Sequence, residues 1–242
     1  VYVGKKLHYT RTKCRYATIV STLKYLYFYN IQKYVKKMSF TEIILSERVP
    51  VNDEDNDLET VDVGDRIVGG EEANIEEHPY QVSFIVNNSY FCGGFIVSEN
   101  YILTAGHCAQ NVDPSTVVLR AGSSFRKNGT IIPIAEVKPH PEYDNPPFDK
   151  DVAYMKTAEP IQFSDTMRPI ALPPRGRPLS GEIMVSGWGR TKGDSGGAAI
   201  QDGLAVGIVS FGRGCGQALS PSVFADIAAP TIRDFISENT GL

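Results

Sequence analysis

Two short segments of the sequence contain side chains that together could support nucleophilic catalysis. Residues 193–197 read GDSGG, and glycines around Ser195 let the backbone turn sharply and let another molecule approach closely. Such a turn also leaves successive N–H groups free to point at an anion. Residues 104–108 read TAGHC and supply His107. A hydroxyl is a weak nucleophile that needs a base, and histidine serves as a base near neutral pH.

A third segment supplies a carboxylate, which can orient a catalytic histidine when it is buried. Asp151 opens the sequence DVA at the start of a predicted strand. Each segment alone is only moderately specific, because a lone histidine beside a cysteine is more often structural and a lone GDSGG can be an ordinary turn. All of them in this order indicate nucleophilic chemistry.

The elements that must position these residues are predicted to be strands. Short alternating segments broken by Gly, Pro and Asn indicate an all-β barrel or sandwich. The candidate strands are 80–86, 91–97, 116–120, 130–137, 151–156, 181–186 and 203–211. Only the C-terminal end has a helical pattern, since Pro230 can open a helix and Ile232, Phe235 and Ile236 then share one face.

Charge divides the chain of 242 residues into two parts. Residues 1–37 carry only basic charges and residues 38–65 almost only acidic ones, although the whole chain has a net charge of -4. We expect a largely disordered leader over residues 1–66, whose acidic part has little apolar surface to bury, and a globular domain over residues 67–242. The net charge gives no pull toward nucleic acid, and the sequence has no run of about 18 uncharged apolar residues to form a transmembrane helix.

A candidate processing site lies at the boundary between these two parts. Arg66 directly follows the acidic stretch and precedes the sequence IVGG. A basic residue in an exposed linker is a good site for proteolytic nicking.

These motifs resemble those of the trypsin/chymotrypsin-like family of serine endopeptidases. The resemblance covers most of residues 66–242 and rests on segments 66–70, 104–108, 151–153, 186–189, 193–197 and 210–212. It implies a double antiparallel β-barrel with a C-terminal helix and an enzyme that hydrolyses peptide bonds.

The resemblance implies a role for each residue that matches the catalytic motifs. His107 is expected to be the general base, Asp151 the carboxylate that orients it, and Ser195 the nucleophile. The N–H groups of Gly193 and Ser195 are expected to form the oxyanion hole.

The same resemblance implies how the chain is activated and which residues bind the substrate. Cleavage between Arg66 and Ile67 would free an α-amino group that pairs with Asp194, so the uncut chain is expected to be a zymogen. The substrate backbone would pair with an edge segment, a form of β-augmentation. The residues implied in substrate binding are Ser210, Phe211, Gly212 and Ser222.

The cysteines indicate the cellular compartment of the protein. The resemblance implies a disulfide between Cys92 and Cys108, and hence an oxidising, extracellular compartment, although the leader has no clear signal-peptide cleavage site. Cys215 lacks its expected partner because Thr191 stands at that position, and Cys14 lies in the leader.

The largest departure from the family lies before Ser195. The interval from His107 to Asp151 is 44 positions and fits the family, but the equal interval from Asp151 to Ser195 is about half of what the resemblance predicts. The resemblance implies that about fifty residues, which would supply strands of the second barrel and the floor of the specificity pocket, are absent near residues 190–192. We therefore expect an open sheet edge, too little apolar cover for strand 203–211, and little or no peptidase activity.

No cofactor or metal is expected. The lone histidines His8, His78 and His140 suit solvated loops, and no His/Cys spacing indicates zinc. The implied partners are protein or peptide substrates and protease inhibitors, with a monomeric enzyme. Two alternatives stay open: a non-catalytic homologue that binds partners or competes for substrate, and an exon-skipped gene model that does not fold stably.

Overall fold

The computed structural model describes residues 2–3, 71–87, 89–188, 195–212 and 222–242. Its strands are β1 (Tyr2–Val3), β2 (Glu71–Glu72), β3 (Gln81–Val86), β4 (Ser89–Ile96), β5 (Tyr101–Thr104), β6 (Val117–Ala121), β7 (Thr130–Ile132), β8 (Ile134–Pro139), β9 (Ala153–Thr157), β10 (Met184–Gly187), β11 (Ala198–Gln201), β12 (Leu204–Gly212) and β13 (Ser222–Asp226). Its helices are α1 (Gly106–Ala109) and α2 (Pro230–Thr240), with short 3-10 helices at Ile75–Glu77 and Pro114–Thr116.

Strands β3 to β9 form a seven-stranded sheet in the order β7-β6-β3-β4-β5-β9-β8, and every pairing in it is antiparallel. The apolar residues of β3 face the core, and Val82 and Phe84 are fully buried. The register of β5 and β9 places Thr104 opposite Ala153. Because the two strands are antiparallel, the chain leaving β5 and the chain entering β9 lie side by side.

The second sheet has six strands in the order β13-β12-β11-β10-β1-β2. Strand β12 is long and pairs with β11 along its first half and with β13 along its second half. Strand β1 comes from the start of the chain and lies between β10 and β2. Tyr2 and Val3 of the predicted leader therefore belong to the second sheet.

One hydrophobic cluster joins the two sheets and α2. It contains Leu103 and Met155 from the first sheet and Ile208 from the second. Helix α2 begins at Pro230, buries Ile232, Phe235 and Ile236 as the sequence predicts, and ends where Gly241 adopts a left-handed conformation with φ of 74°. The Phe235 ring lies 4.7 Å from the ring of His140. In the described ranges, no helix is long and apolar enough to cross a membrane.

The predicted all-β, trypsin-like architecture with a C-terminal helix is confirmed, and each predicted strand overlaps an observed one. The predicted strand 130–137 is two strands, because β7 ends just before Pro133 and β8 begins after it. Proline has no N–H to donate to a ladder. Strands β1, β2, β5, β11 and β13 were not predicted, because they are short and have no clear alternation.

Two expectations drawn from the missing segment need correction. Strand 203–211 was expected to lack apolar cover, but Ala205, Val206 and Ile208 are at most 1% exposed. Its neighbours β11 and β13 and the shared core cover it. An open sheet edge was expected in the second barrel, but Ser186 and Gly187 of β10 pair with β1.

The expectation that His78 and His140 are solvated is wrong, since they are 4% and 7% exposed. The Nδ1 atom of His78 lies 3.0 Å from the Tyr80 hydroxyl, and Nδ1 of His140 accepts from the N–H of Glu142 at 3.0 Å. Burial lowers the pKa of each imidazole below its ordinary value. His8 lies outside the described residues.

Candidate active site

His107 and Asp151 meet because the register of β5 and β9 brings their two segments together. His107 lies in α1, directly after β5, and Asp151 lies two residues before β9. The Nδ1 atom of His107 is 2.8 Å from Oδ2 of Asp151, and the backbone N–H of His107 donates to Oδ1 at 2.8 Å. Both oxygens of one carboxylate therefore fix the position and the ring plane of the histidine.

The carboxylate of Asp151 is only 2% exposed and accepts a further hydrogen bond from the hydroxyl of Ser210. Burial alone would raise the pKa of Asp151. The hydrogen bonds and charge interaction with His107, together with the Ser210 hydroxyl, outweigh burial and hold that pKa below its ordinary value. The buried group is therefore an ionised acceptor at neutral pH.

Gly106 and Tyr143 close one side of this carboxylate. A Cβ atom on Gly106 would lie 2.9 Å from Cδ2 of Tyr143 and 3.2 Å from Oδ1 of Asp151, so the segment before His107 has no room for a side chain. Burial and the nearby charge of Asp151 raise the pKa of Tyr143 to about 12. The phenol stays neutral and shields the carboxylate from water.

The turn that carries Ser195 is fixed by backbone hydrogen bonds to both sheets. The N–H of Gly93 in β4 donates to the carbonyl of Ser195 at 2.8 Å, and the N–H of Gly196 donates to the carbonyl of Val209 in β12 at 2.8 Å. Gly196 has φ of +85°, and a Cβ atom there would lie 2.3 Å from Oγ1 of Thr104. The second glycine of the motif is needed for both its conformation and this close approach.

Ser210 connects the candidate nucleophile to the carboxylate. The hydroxyl of Ser195 donates to the carbonyl of Ser210 at 3.3 Å, while the hydroxyl of Ser210 donates to Asp151. The Nε2 atom of His107 lies 3.4 Å from Sγ of Cys108. The structure therefore brings His107, Asp151 and Ser195 to one place, at the junction of the two sheets.

The predicted disulfide between Cys92 and Cys108 is present and joins β4 to α1. Among the described residues, these two cysteines and His107 form a group whose ligand atoms lie within 4.8 Å of one another. Metals bind the thiolate form of cysteine, and both sulfurs are used in the disulfide. The disulfide therefore stabilises the turn that carries His107, and the two cysteines offer no thiolate to a metal.

The segment implied in substrate binding is the end of β12. Phe211 and Gly212 pair with Val223 and Ser222 of β13, and in the described part of the chain no strand pairs with Ser210–Gly212 on the opposite side. Phe211 is 41% exposed and its ring lies 4.8 Å from the ring of Phe148, which is 55% exposed. An edge and an aromatic surface therefore lie beside Ser195.

The remaining predicted site residues lie outside the described residues. They are Arg66, Ile67, Gly193 and Asp194, together with Cys14 and Cys215. Sequence reasoning missed the hydroxyl contact of Ser210 with Asp151 and the packing of Tyr143. No local pattern could have found them, because each contact depends on how the strands pair.

Comparisons with known proteins show similarity to trypsins. The model of the family described as Trypsin matches residues 67–192 and 191–236. Trypsin 5G1 of Aedes aegypti is 33% identical over 230 residues, covering 73% of this chain and 86% of that protein. Trypsin of Sarcophaga bullata is 30% identical over 232 residues, covering 73% of this chain and 90% of that protein.

A similar fold is found in the crystal structure of the scabies mite inactivated protease paralogue S-D1. The TM-score is 0.60 with 23% identity, covering 72% of this chain and 97% of the other. The two ranges matched by the family model share residues 191–192. The alignment to trypsin 5G1 spans 230 positions but includes only 73% of this chain. The relative thus has residues with no counterpart in this alignment, and the chain belongs to the trypsin family.

Proposed function

We propose that this chain is a serine endopeptidase in which Ser195 is the nucleophile, His107 the general base and Asp151 the carboxylate that orients the base. The supporting observation is the buried Asp151 carboxylate, which binds both Nδ1 and the backbone N–H of His107. With Nδ1 engaged in this way, the proton-accepting position of the ring is Nε2.

In the proposed reaction, the Ser195 hydroxyl turns from the Ser210 carbonyl to His107. Its oxygen attacks the carbonyl carbon of the peptide bond while its proton passes to Nε2 of His107. The protonated histidine then gives this proton to the leaving amine, and the C–N bond breaks. Water, deprotonated by His107, hydrolyses the acyl-serine and restores the hydroxyl. Asp151 stays ionised throughout, as its lowered pKa favours.

Activation and the oxyanion hole complete the proposal. The N–H groups of Gly193 and Ser195 would stabilise the oxyanion. Cleavage after Arg66 would free the α-amino group of Ile67 to pair with Asp194, so that the chain is made as a zymogen. The support for these roles is the match to the family motifs at residues 66–70 and 193–197.

The proposed substrates are extracellular proteins or peptides. Support comes from the edge of β12 beside Ser195, which can pair with an extended backbone, and from the disulfide, which forms in oxidising compartments. Protease inhibitors that mimic an extended substrate would bind the same edge. The chain is proposed to act as a monomer.

A non-catalytic homologue that binds partners is the second candidate function. The short connection from Trp188 to Ser195 favours it, because the family segment that supports the specificity pocket has no counterpart there. A fold neighbour is itself described as an inactivated protease paralogue. This candidate predicts that the fold and substrate edge persist without turnover.

Peptide hydrolysis after controlled cleavage separates the two functions. The wild-type chain, Arg66→Gln and Ser195→Ala are each treated with immobilised trypsin, which is then removed, and assayed on short fluorogenic peptides. We expect weak hydrolysis by cut wild type alone, about 100-fold or more below complete relatives, because a misplacement near 1 Å can cost that much. Hydrolysis by Ser195→Ala equal to that of wild type would favour the binding homologue.

A further inference from the structure

The outer face of strands β6 and β7 carries a cation beside an exposed apolar side chain. Arg120 of β6 lies directly opposite Ile131 of β7. Their neighbours in the two strands, Leu119 and Ile132, are buried in the core. Because successive side chains of a strand point to opposite faces of the sheet, Arg120 and Ile131 lie together on the outer face, where Ile131 is 52% exposed.

The loop between these strands adds a second exposed apolar side chain and a further cation. Phe125 is 72% exposed, and Lys127 is also exposed. In the part of the chain that the structure describes, Arg120 donates to the carbonyl of Gly129 at 3.2 Å, and neither Arg120 nor Lys127 forms an ion pair. Residues 121–131 contain no carboxylate. Such unmatched charge beside exposed apolar side chains is typical of an interaction surface. Its members, here called the basic-aromatic surface, are Arg120, Phe125, Lys127 and Ile131.

Hydrogen bonds inside the loop fix the shape of the basic-aromatic surface. The hydroxyl of Ser83 donates to the carbonyl of Arg126 at 2.6 Å, and the N–H of Asn128 donates to the carbonyl of Phe125 at 3.0 Å. Gly129 has φ of +88°, and a Cβ atom there would lie 2.3 Å from the last carbonyl oxygen of β6. Because the loop is already ordered, a partner that binds it loses little affinity to ordering of the loop.

The acidic segment 52–65 of the same chain matches this surface in both charge and apolar character. It reads NDEDNDLETVDVGD and has seven carboxylates and no basic residue. Leu58, Val61 and Val63 are interspersed among the acids. Opposite charges attract and orient the two partners, and the three apolar side chains suit the exposed Phe125 and Ile131.

The sequence also tethers this segment close to the surface. The N–H of Ile75 donates to the hydroxyl of Ser124 at 3.0 Å, and Ser124 directly precedes Phe125. The segment ends at Asp65, ten positions before Ile75. Ten residues reach at most about 36 Å when fully extended. A short tether raises the effective concentration of the segment to about the millimolar range, so individually weak contacts are enough to hold it.

We propose that the basic-aromatic surface is the docking site of the acidic segment 52–65 of the same chain. Carboxylates of the segment pair with Arg120 and Lys127, and its apolar side chains cover Phe125 and Ile131. The docked segment keeps other acidic partners away from this surface. The inference concerns non-covalent contacts alone, so it does not depend on peptide hydrolysis by Ser195.

Zero-length carbodiimide coupling tests the proposal on the full wild-type chain at high dilution. The reagent joins an amine to a carboxylate only where the two groups are in contact, and mass spectrometry of the digested protein locates the new amide bond. We expect Lys127 to couple to carboxylates of residues 53–65 about fivefold more than does Lys156, an exposed lysine of β9. Salt at about 0.5 M, which screens exposed charges beyond a few ångströms, should remove this difference.

Matched variants decide which residues hold the segment. Arg120→Gln and Phe125→Ser each remove one exposed group and should lower the coupling of Lys127 about fivefold. Arg175→Gln, which changes an exposed arginine that pairs with Asp234, should leave the coupling unchanged.

Three results would overturn the proposal. One is equal coupling of Lys127 and Lys156 to the segment in the wild type, a comparison that needs no variant. Another is an equal loss of coupling in Arg120→Gln and Arg175→Gln, which would assign the contact to overall charge. The third is coupling between isotope-labelled and unlabelled chains in a mixture, which would assign the segment to a second copy.

Discussion

Asp151 is the residue on which the candidate site depends, since three donors converge on one buried carboxylate. Two of them belong to His107 and the third is the Ser210 hydroxyl. The motif around each of these residues is visible in the sequence, and so the histidine and carboxylate could be named beforehand. The link through Ser210 spans 59 positions and depends on strand pairing, which a local pattern does not encode.

Removing the Ser210 hydroxyl should weaken this network. Ser210→Ala leaves a buried carboxylate with one donor fewer, at an expected cost of about 1–3 kcal/mol in unfolding free energy at pH 7. Because the pKa of Asp151 is lowered in the folded state, its contribution is present above about pH 4 and is lost as pH falls through the folded-state pKa. Urea titrations between pH 7 and about pH 3 should show the difference shrinking. A similar loss of unfolding free energy in the control variant Ser164→Ala, which changes an exposed serine, would contradict this expectation. A loss in Ser210→Ala that does not depend on pH would also contradict it.

The buried histidines predict a second pH effect. The pKa values of His78 and His140 are lowered in the folded state, so the unfolded chain binds more protons below about pH 6.5. Stability should therefore fall as pH drops from about 6.5 towards the lower folded-state values. The melting temperature of the double variant His78→Asn, His140→Asn should change less across this range. An unaltered slope in the double variant would refute the assignment.

Among the elements, strands β4 and β12 hold the turn that carries Ser195. The Ser195 carbonyl and the Gly196 N–H bind strands of different sheets, β4 and β12. The strand pattern, the C-terminal helix and the disulfide were all predictable, because alternation, a helical face and family motifs are local signals. Strand β1 was not, since two residues inside a basic leader carry no pattern that indicates a sheet.

Replacing Gly196 should lower the unfolding free energy by more than the positive φ of this residue alone explains. Gly196→Ala forces an L-residue to φ of +85° and places Cβ 2.4 Å from the carbonyl oxygen of Gly93, at an expected cost of about 2–4 kcal/mol. Gly203 has a similar φ of +73° with nothing within 4 Å. Gly203→Ala should therefore cost only about 1 kcal/mol. Equal losses for both variants in chemical denaturation would show that the contact does not matter.

The disulfide should stabilise the element that carries His107. It closes a separation of 16 residues between β4 and α1, and the double variant Cys92→Ala, Cys108→Ala should lose about 3 kcal/mol of unfolding free energy. Calorimetry of the double variant, beside wild type with and without reductant, measures this. The reduced wild type should resemble the variant; an unchanged melting temperature in both would contradict the expected role.

For the whole molecule, the central question is whether the shortened second half still presents an activated serine. His107 and Asp151 lie next to strands β5 and β9 of the first sheet, whereas Ser195 comes directly after the expected deletion. The short interval before Ser195 predicts the loss of a loop and strands, but no local pattern predicts the pairing of β1 with β10, because it joins residues more than 180 positions apart. A change in the second half of the chain can therefore affect the activation of Ser195 and the binding of substrate separately.

Mapping the residue modified by a small fluorophosphonate tests the central claim most directly, because the probe needs an activated serine and no specificity pocket. The chain cut after Arg66 is treated with the probe, digested and examined by mass spectrometry, beside His107→Ala and Ser195→Ala. We expect an adduct on Ser195 in the cut wild type that is strongly reduced in His107→Ala. No adduct on Ser195 of the cut chain, or an adduct that His107→Ala leaves unchanged, would contradict it.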